Sequence, residues 1–156
     1  MIRKIAAAAA AWLFALSAYA VDGVAVELGL GEEDTKVLRI ATIDRWGRLP
    51  GYWELSLAVW DNPVESTADL GITPVFRFER GAFHVEAAIG FHLVQTHISA
   101  ARTFSTAFQF GDHIGAGYRA GHWVFGARFQ HLSNGGIRRP NPGINFVLLR
   151  VEYDLE

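Results

Sequence analysis

Phe83-His-Val-Glu-Ala-Ala-Ile-Gly-Phe-His-Leu-Val94 alternates with a period of two. On an extended strand successive side chains leave opposite faces. Phe83, Val85, Ala87, Ile89, Phe91 and Leu93 therefore share one side, and His84, Glu86, Ala88, Gly90 and His92 share the other. One face is wholly apolar and the other is small or ionisable. A closed sheet with its polar face inside and its apolar face outside is the inverse of a soluble barrel, and it suits a wall standing in lipid.

Neighbouring segments repeat the pattern. Trp53, Leu55, Leu57 and Val59 oppose Tyr52, Glu54 and Ser56, while Leu70, Ile72, Phe76 and Phe78 oppose Asp69, Thr73, Arg77 and Glu79. Eight such segments are predicted: Asp22–Leu30, Thr35–Asp44, Tyr52–Asp61, Ala68–Glu79, Ala82–Val94, Ser105–Tyr118, His122–Ser133 and Gly143–Asp154. The sixth is the least regular, with Gly111, Gly115 and Gly117 inside it. Short turns such as Arg80-Gly81 and Arg119-Ala-Gly121 join segments two to three, four to five and six to seven. The fifth-to-sixth and seventh-to-eighth connections are longer, the third-to-fourth moderately so, and the first is short. The expected fold is all-β, an eight-stranded antiparallel transmembrane β-barrel. Closure would satisfy every backbone polar group in lipid.

The first twenty residues stand apart. Arg3 and Lys4 precede an apolar run from Ile5 to Leu16, and Ala18-Tyr-Ala20 follows as a small-x-small site. Residues 1–20 therefore read as a signal peptide and 21–156 as a single barrel domain. With 14 Lys and Arg against 16 Asp and Glu, and no basic block, nothing points to nucleic acid. The absence of cysteine removes disulfides, thiol nucleophiles and thiolate metal sites. His84, His92, His97, His113 and His122 show no strong metal-ligand spacing, so no metal and no cofactor is expected. Arg77, Arg128, Arg150, Glu54, Glu86 and Glu152 are expected to form a charge network inside the barrel, and Trp46, Trp60 and Trp123 to anchor the membrane interfaces.

Chemistry concentrates at Phe129-Gln-His-Leu-Ser-Asn-Gly-Gly-Ile-Arg-Arg-Pro-Asn-Pro-Gly-Ile-Asn145. His131 and Ser133 continue the apolar row Trp123, Phe125, Ala127 and Phe129. A polar pair there sits where an oily surface meets water. Residues two apart on a strand lie ~7 Å apart at Cα, within reach of an imidazole turning towards a hydroxyl. A hairpin symmetric about Arg138 would bring Asn145 opposite His131, on the face carrying Val147, Leu149, Val151 and Tyr153. Ser-Asn-Gly-Gly and Pro-Asn-Pro-Gly are also ordinary turn signals, and on spacing alone the turn reading is the simpler one.

The stretch His-x-Ser-Asn-x-Gly-x4-Asn-x-Gly, His131 to Gly143, closely resembles the signature of the PagL-like lipid A 3-O-deacylases. That resemblance is strong over the last quarter of the mature chain; elsewhere it rests on length and the eight-strand pattern. It implies an outer-membrane serine esterase acting on the 3-O-linked acyl chain of lipid A in lipopolysaccharide, with its site facing the outer leaflet. Ser133 would be the nucleophile and His131 the general base. Asn134, with the backbone near Gly136, would supply oxyanion donors, and Asn141 would position them. In the best-known form of the motif a glutamate stands where this chain has Asn145. An amide can orient His131 but brings no negative charge. Glu152 lies on the opposite face, roughly 23 Å along the strand. Glu32, Glu33 and Asp34 in the first loop are the better substitutes, because closure brings that loop beside the last strand. Three readings stay open: lipid A deacylase, outer-membrane phospholipase, and a structural barrel with a degenerate site. Lipopolysaccharide and outer-membrane lipids are the expected partners, and a homodimer is left open.

Overall fold

The alternation in Phe83–Val94 is realised as a strand whose odd positions are exposed and whose even positions are buried. A computed structural model describes residues 21–155, apart from 96, 100 and 101; the expected signal peptide lies outside the described residues. The strands are β1 (Gly23–Gly31), β2 (Lys36–Arg45), β3 (Gly51–Asp61), β4 (Ser66–Arg80), β5 (Phe83–Val94), β6 (His97–Ser99), β7 (Arg102–Thr103), β8 (Phe108–Ala120), β9 (Trp123–Ser133) and β10 (Ile144–Asp154). Eight of them close a barrel in the order β1-β10-β9-β8-β5-β4-β3-β2, every pair antiparallel. The short pair β6 and β7 forms a separate ribbon within the β5–β8 connection.

The outer wall is largely apolar. Leu28, Ile72, Phe78, Phe83, Ile89 and Leu149 are each exposed by 47% or more. No helix among the described residues is long and apolar enough to cross a membrane. The exposed strand faces are what lipid would cover.

Inside, the expected network is present and larger than the sequence suggested. Arg128 donates to Glu86 (2.5 Å), Glu27 (2.7 Å), Glu54 (3.0 Å) and the Tyr52 hydroxyl (2.8 Å). Arg77 grips Glu152 with both terminal nitrogens, at 2.9 and 2.8 Å. Arg150 and Arg39 each reach Glu27. Arg39, Arg77, Arg128 and Arg150 thus face Glu27, Glu54, Glu86 and Glu152, so buried charge is matched by buried charge. Burial without such pairing would be prohibitive.

Three expectations are corrected. The interior is not polar throughout: Val37, Trp60, Val94, Phe104, Leu132, Ile144 and Phe146 cap the network at the long-loop end. Trp60 belongs to that cap, fully buried with its ring 4.9 Å from Phe146, because its even position on β3 turns it inwards. It is no interface anchor, whereas Trp123 is exposed beside Phe125 and Tyr153. The third-to-fourth connection is also tighter than expected. Asn62 Oδ1 accepts N–H bonds from Val64 (2.9 Å) and Glu65 (3.0 Å), folding the chain back so that β4 begins at Ser66.

Candidate active site

Strand β9 carries His131 and Ser133 to its outward face, both half-buried at the end of the exposed row Trp123, Phe125, Ala127 and Phe129. Strand β10 begins at Ile144, and its register places Asn145 directly opposite His131, the pairing expected from a symmetric hairpin. His131 Nδ1 and Asn145 Oδ1 are 2.8 Å apart. His131 and Asn145 are thus joined, with Ser133 two residues further along the same face, where the apolar wall gives way to the loop.

The β9–β10 loop is built around Asn134, whose side chain is fully buried. Its Nδ2 donates to Arg138 O (2.8 Å) and to Ser105 Oγ (3.0 Å), and its Oδ1 accepts the Gly136 N–H (2.9 Å). The Asn134 N–H in turn donates to Asn141 Oδ1 at 2.9 Å. One side chain thus ties the turn to itself and to the β5–β8 connection. The Gly135 N–H lies 3.4 Å from Ser133 Oγ, a long contact from the backbone donor next to the hydroxyl. Gly135 and Gly136 both have positive φ (62° and 82°), which lets the backbone turn its amides this way.

Gly143 closes the loop, and two features restrict that position to glycine. Its φ is +62°, and a Cβ there would fall 2.7 Å from His131 Cε1 and 3.2 Å from Leu132 O. The Cε1–Nε2 edge of the imidazole occupies the space a side chain would need. A bulkier residue would push the ring from Asn145.

Of the three first-loop acids, the structure brings Glu32 to the site. Its Oε1 accepts Asn145 Nδ2 and its Oε2 accepts the Asn145 N–H, both at 3.2 Å, while its own N–H donates to Asn145 O at 3.3 Å. Glu33 and Asp34 instead form the turn, with left-handed φ of 58° and 56°. Glu152 is buried in the interior network, as its parity requires.

Asp112 was missed by sequence reasoning. It stands exposed on β8, directly opposite His131 on the side away from Asn145, and Phe110 is the partner of Ser133. A lone carboxylate in the outward row Phe108, Phe110, Asp112, Ile114 was the available signal, since a charge on a lipid-facing row is costly. The irregular glycines of that segment hid the row's parity. Ser105 was likewise unforeseen, because its role depends on a loop-to-loop contact. Among the described residues, no group of three or more His, Asp or Glu is placed to hold a metal ion.

Comparison with known proteins follows the same lines. The family described as "Lipid A 3-O-deacylase (PagL)" matches residues 36–154. A protein named lipid A deacylase PagL from Bordetella bronchiseptica is 36% identical over 114 residues, covering 69% of this chain and 64% of the relative. Its namesake from Pseudomonas aeruginosa is 32% identical over 105 residues, covering 63% of this chain and 61% of the relative. The matched part thus falls short of two thirds of either relative's length. The crystal structure of the outer membrane enzyme PagL superposes with a TM-score of 0.77 at 23% identity, over 85% of this chain and 99% of that one. Neisserial surface protein A superposes with a TM-score of 0.60 at 9% identity, over 85% and 94% respectively. At these identities the two structures speak for the barrel fold alone.

Proposed function

Because this chain belongs to the lipid A 3-O-deacylase (PagL) family, we propose that it is an outer-membrane serine esterase that hydrolyses the 3-O-linked acyl chain of lipid A. The observation that carries this reading is the outward placement of Ser133 and His131, with Asn145 2.8 Å from the imidazole at the rim of an apolar wall. A soluble substrate would not need its nucleophile on a lipid-facing surface. An acyl chain lying along the barrel would bring its ester to that depth.

In this mechanism His131 Nδ1 is held by Asn145, leaving Nε2 to take the Ser133 proton as Oγ bonds to the acyl carbon. The resulting oxyanion lies against the Asn134–Gly136 turn. Gly135 N–H donates to Ser133 Oγ, and Gly136 N–H reaches the oxyanion by exchanging its bond to Asn134 Oδ1. Asn134 and Asn141 act by holding that turn in shape. Collapse breaks the bond to the sugar 3-oxygen, which receives the proton from His131. Water then attacks the acyl-enzyme with His131 again as base, releasing the fatty acid and restoring Ser133. All these groups come from one chain, so the reading requires no partner copy. The loop end of the barrel would face the cell exterior, which puts the site at the depth of the outer leaflet.

Mass spectrometry of lipid A from cells with and without this protein tests the proposal. Loss of one 3-hydroxyacyl chain with the wild type, and none with Ser133→Ala, is expected. Fatty acid released from phospholipid instead would make it a phospholipase, and no product from either lipid would leave a structural barrel.

A further inference from the structure

The residue that faces His131 from β10 is an amide, and an amide has two ends. Asn145 can present Oδ1 or Nδ2 to His131, and the choice decides which imidazole nitrogen carries the proton. If Oδ1 faces the ring, Nδ1 must donate and Nε2 is left bare to act as base. If Nδ2 faces the ring, Nδ1 must accept, Nε2 carries the hydrogen, and no base faces Ser133. Something must select the end.

We infer that Glu32 is the positioning residue that sets this choice, and that the site works as a relay of Ser133, His131, Asn145 and Glu32. The inference rests on the esterase reading above. A carboxylate can only accept. Its Oε1 lies 3.2 Å from Asn145 Nδ2, so the NH₂ end of the amide is turned towards Glu32. Oδ1 is thereby turned towards His131 Nδ1, 2.8 Å away. The second oxygen of Glu32 takes the Asn145 N–H, and the Glu32 N–H returns a bond to Asn145 O, so Glu32 is held at three points of one residue, two of them through its carboxylate. Closure of β1 onto β10 supplies this geometry: Gly31 pairs with Phe146, and the next residue of each strand meets across the seam. Hydrogen bonds in series also polarise one another, so the carboxylate makes Asn145 Oδ1 a stronger acceptor than a lone amide.

One other carboxylate faces His131, Asp112 from β8. It stands on the far side of the ring from Asn145 and makes no contact that would orient the amide. The two acids separate experimentally: Asp112 can contribute charge, whereas Glu32 determines the tautomer.

The test uses full-length protein folded in detergent micelles with ¹⁵N-labelled histidine, the His131 signal being assigned by its loss in His131→Gln. Wild type is expected to carry its proton on Nδ1 in the neutral ring. Glu32→Gln, whose side-chain amide can donate as well as accept, should give mixed tautomers. Glu32→Lys, which can only donate, should move the proton to Nε2. Asp112→Asn should leave the Nδ1–H form in place. In parallel, Glu32→Gln should lower kcat on the order of ten-fold with KM nearly unchanged, well short of the ~10⁴ lost when a triad acid itself is neutralised. Adding Asn145→Glu to Glu32→Gln should restore the rate, because a carboxylate then contacts the ring directly. An Nδ1–H tautomer that persists in both Glu32 variants overturns the inference. So does a kcat unaffected by Glu32→Gln. Should wild type release no acyl chain, the esterase reading fails, while the tautomer measurement still decides what Glu32 does to His131.

Discussion

At the scale of single residues, His131 and Ser133 act as a unit or not at all. The hydroxyl is a weak nucleophile until the imidazole takes its proton, and the imidazole has no proton to pass on until it does so. Ser133→Ala and His131→Ala are each expected to reduce deacylation by at least ~10³-fold, and the double variant by hardly more. Both side chains lie outside the interior network, so folding should be unaffected; retention of the heat-dependent gel shift of a folded barrel checks that. Independent, additive losses would mean that the two residues do not share one proton transfer.

At the scale of elements, the β9–β10 hairpin converts an ordinary turn composition into a shaped surface. Its register sets His131 against Asn145, Asn134 folds the loop from within, and Gly143 leaves room for the ring. Gly143→Ala combines a left-handed φ with a Cβ 2.7 Å from His131 Cε1. The backbone strain alone costs about 1–2 kcal/mol. Displacing a catalytic ring by ~1 Å can cost on the order of 10²-fold in rate. Turnover is therefore expected to fall much further than the urea midpoint. A variant that unfolds more easily yet keeps full turnover would show that this contact does not hold the imidazole.

At the scale of the whole molecule, the barrel is held by a matched charge network inside and an apolar surface outside. Arg128 bonds to Glu27, Glu54 and Glu86 at once, so Arg128→Met leaves three buried carboxylates short of a cation. A loss of about 3–5 kcal/mol is expected, the range for breaking a buried pair from one side. Ile89→Arg, near the middle of β5 and 67% exposed, puts a charge into the wall at a cost of about 2–4 kcal/mol if that wall stands in lipid. Urea titration of both variants in lipid vesicles measures this. A silent Ile89→Arg would remove lipid from the account of the outer face, whatever Arg128→Met does.

Much of this was legible along the chain. Period-two alternation is a local property, so it determined which side chains face outwards on β3, β4, β5 and β9, and with them the barrel class and the outward placement of His131 and Ser133. Hairpin symmetry extended that reach to the pairing of His131 with Asn145, because a turn links residues near in sequence. What lay beyond was decided by closure. Glu32 and Asn145 are 113 residues apart and meet only because β1 seals onto β10. Asp112 stands opposite His131 through the register of β8, which the glycines of that strand blur. Ser105 finds Asn134 across two loops. Trp60 faces inwards by the parity of β3, but the apolar cap it joins with Phe146 is assembled only when the strands close. The sequence by itself determined the fold class and the outward placement of His131 and Ser133, since those follow from side-chain alternation; their reading as base and nucleophile came from the motif's resemblance. Only the tertiary structure decided which acid stands behind the amide, because that choice is made across a seam between the two ends of the sheet.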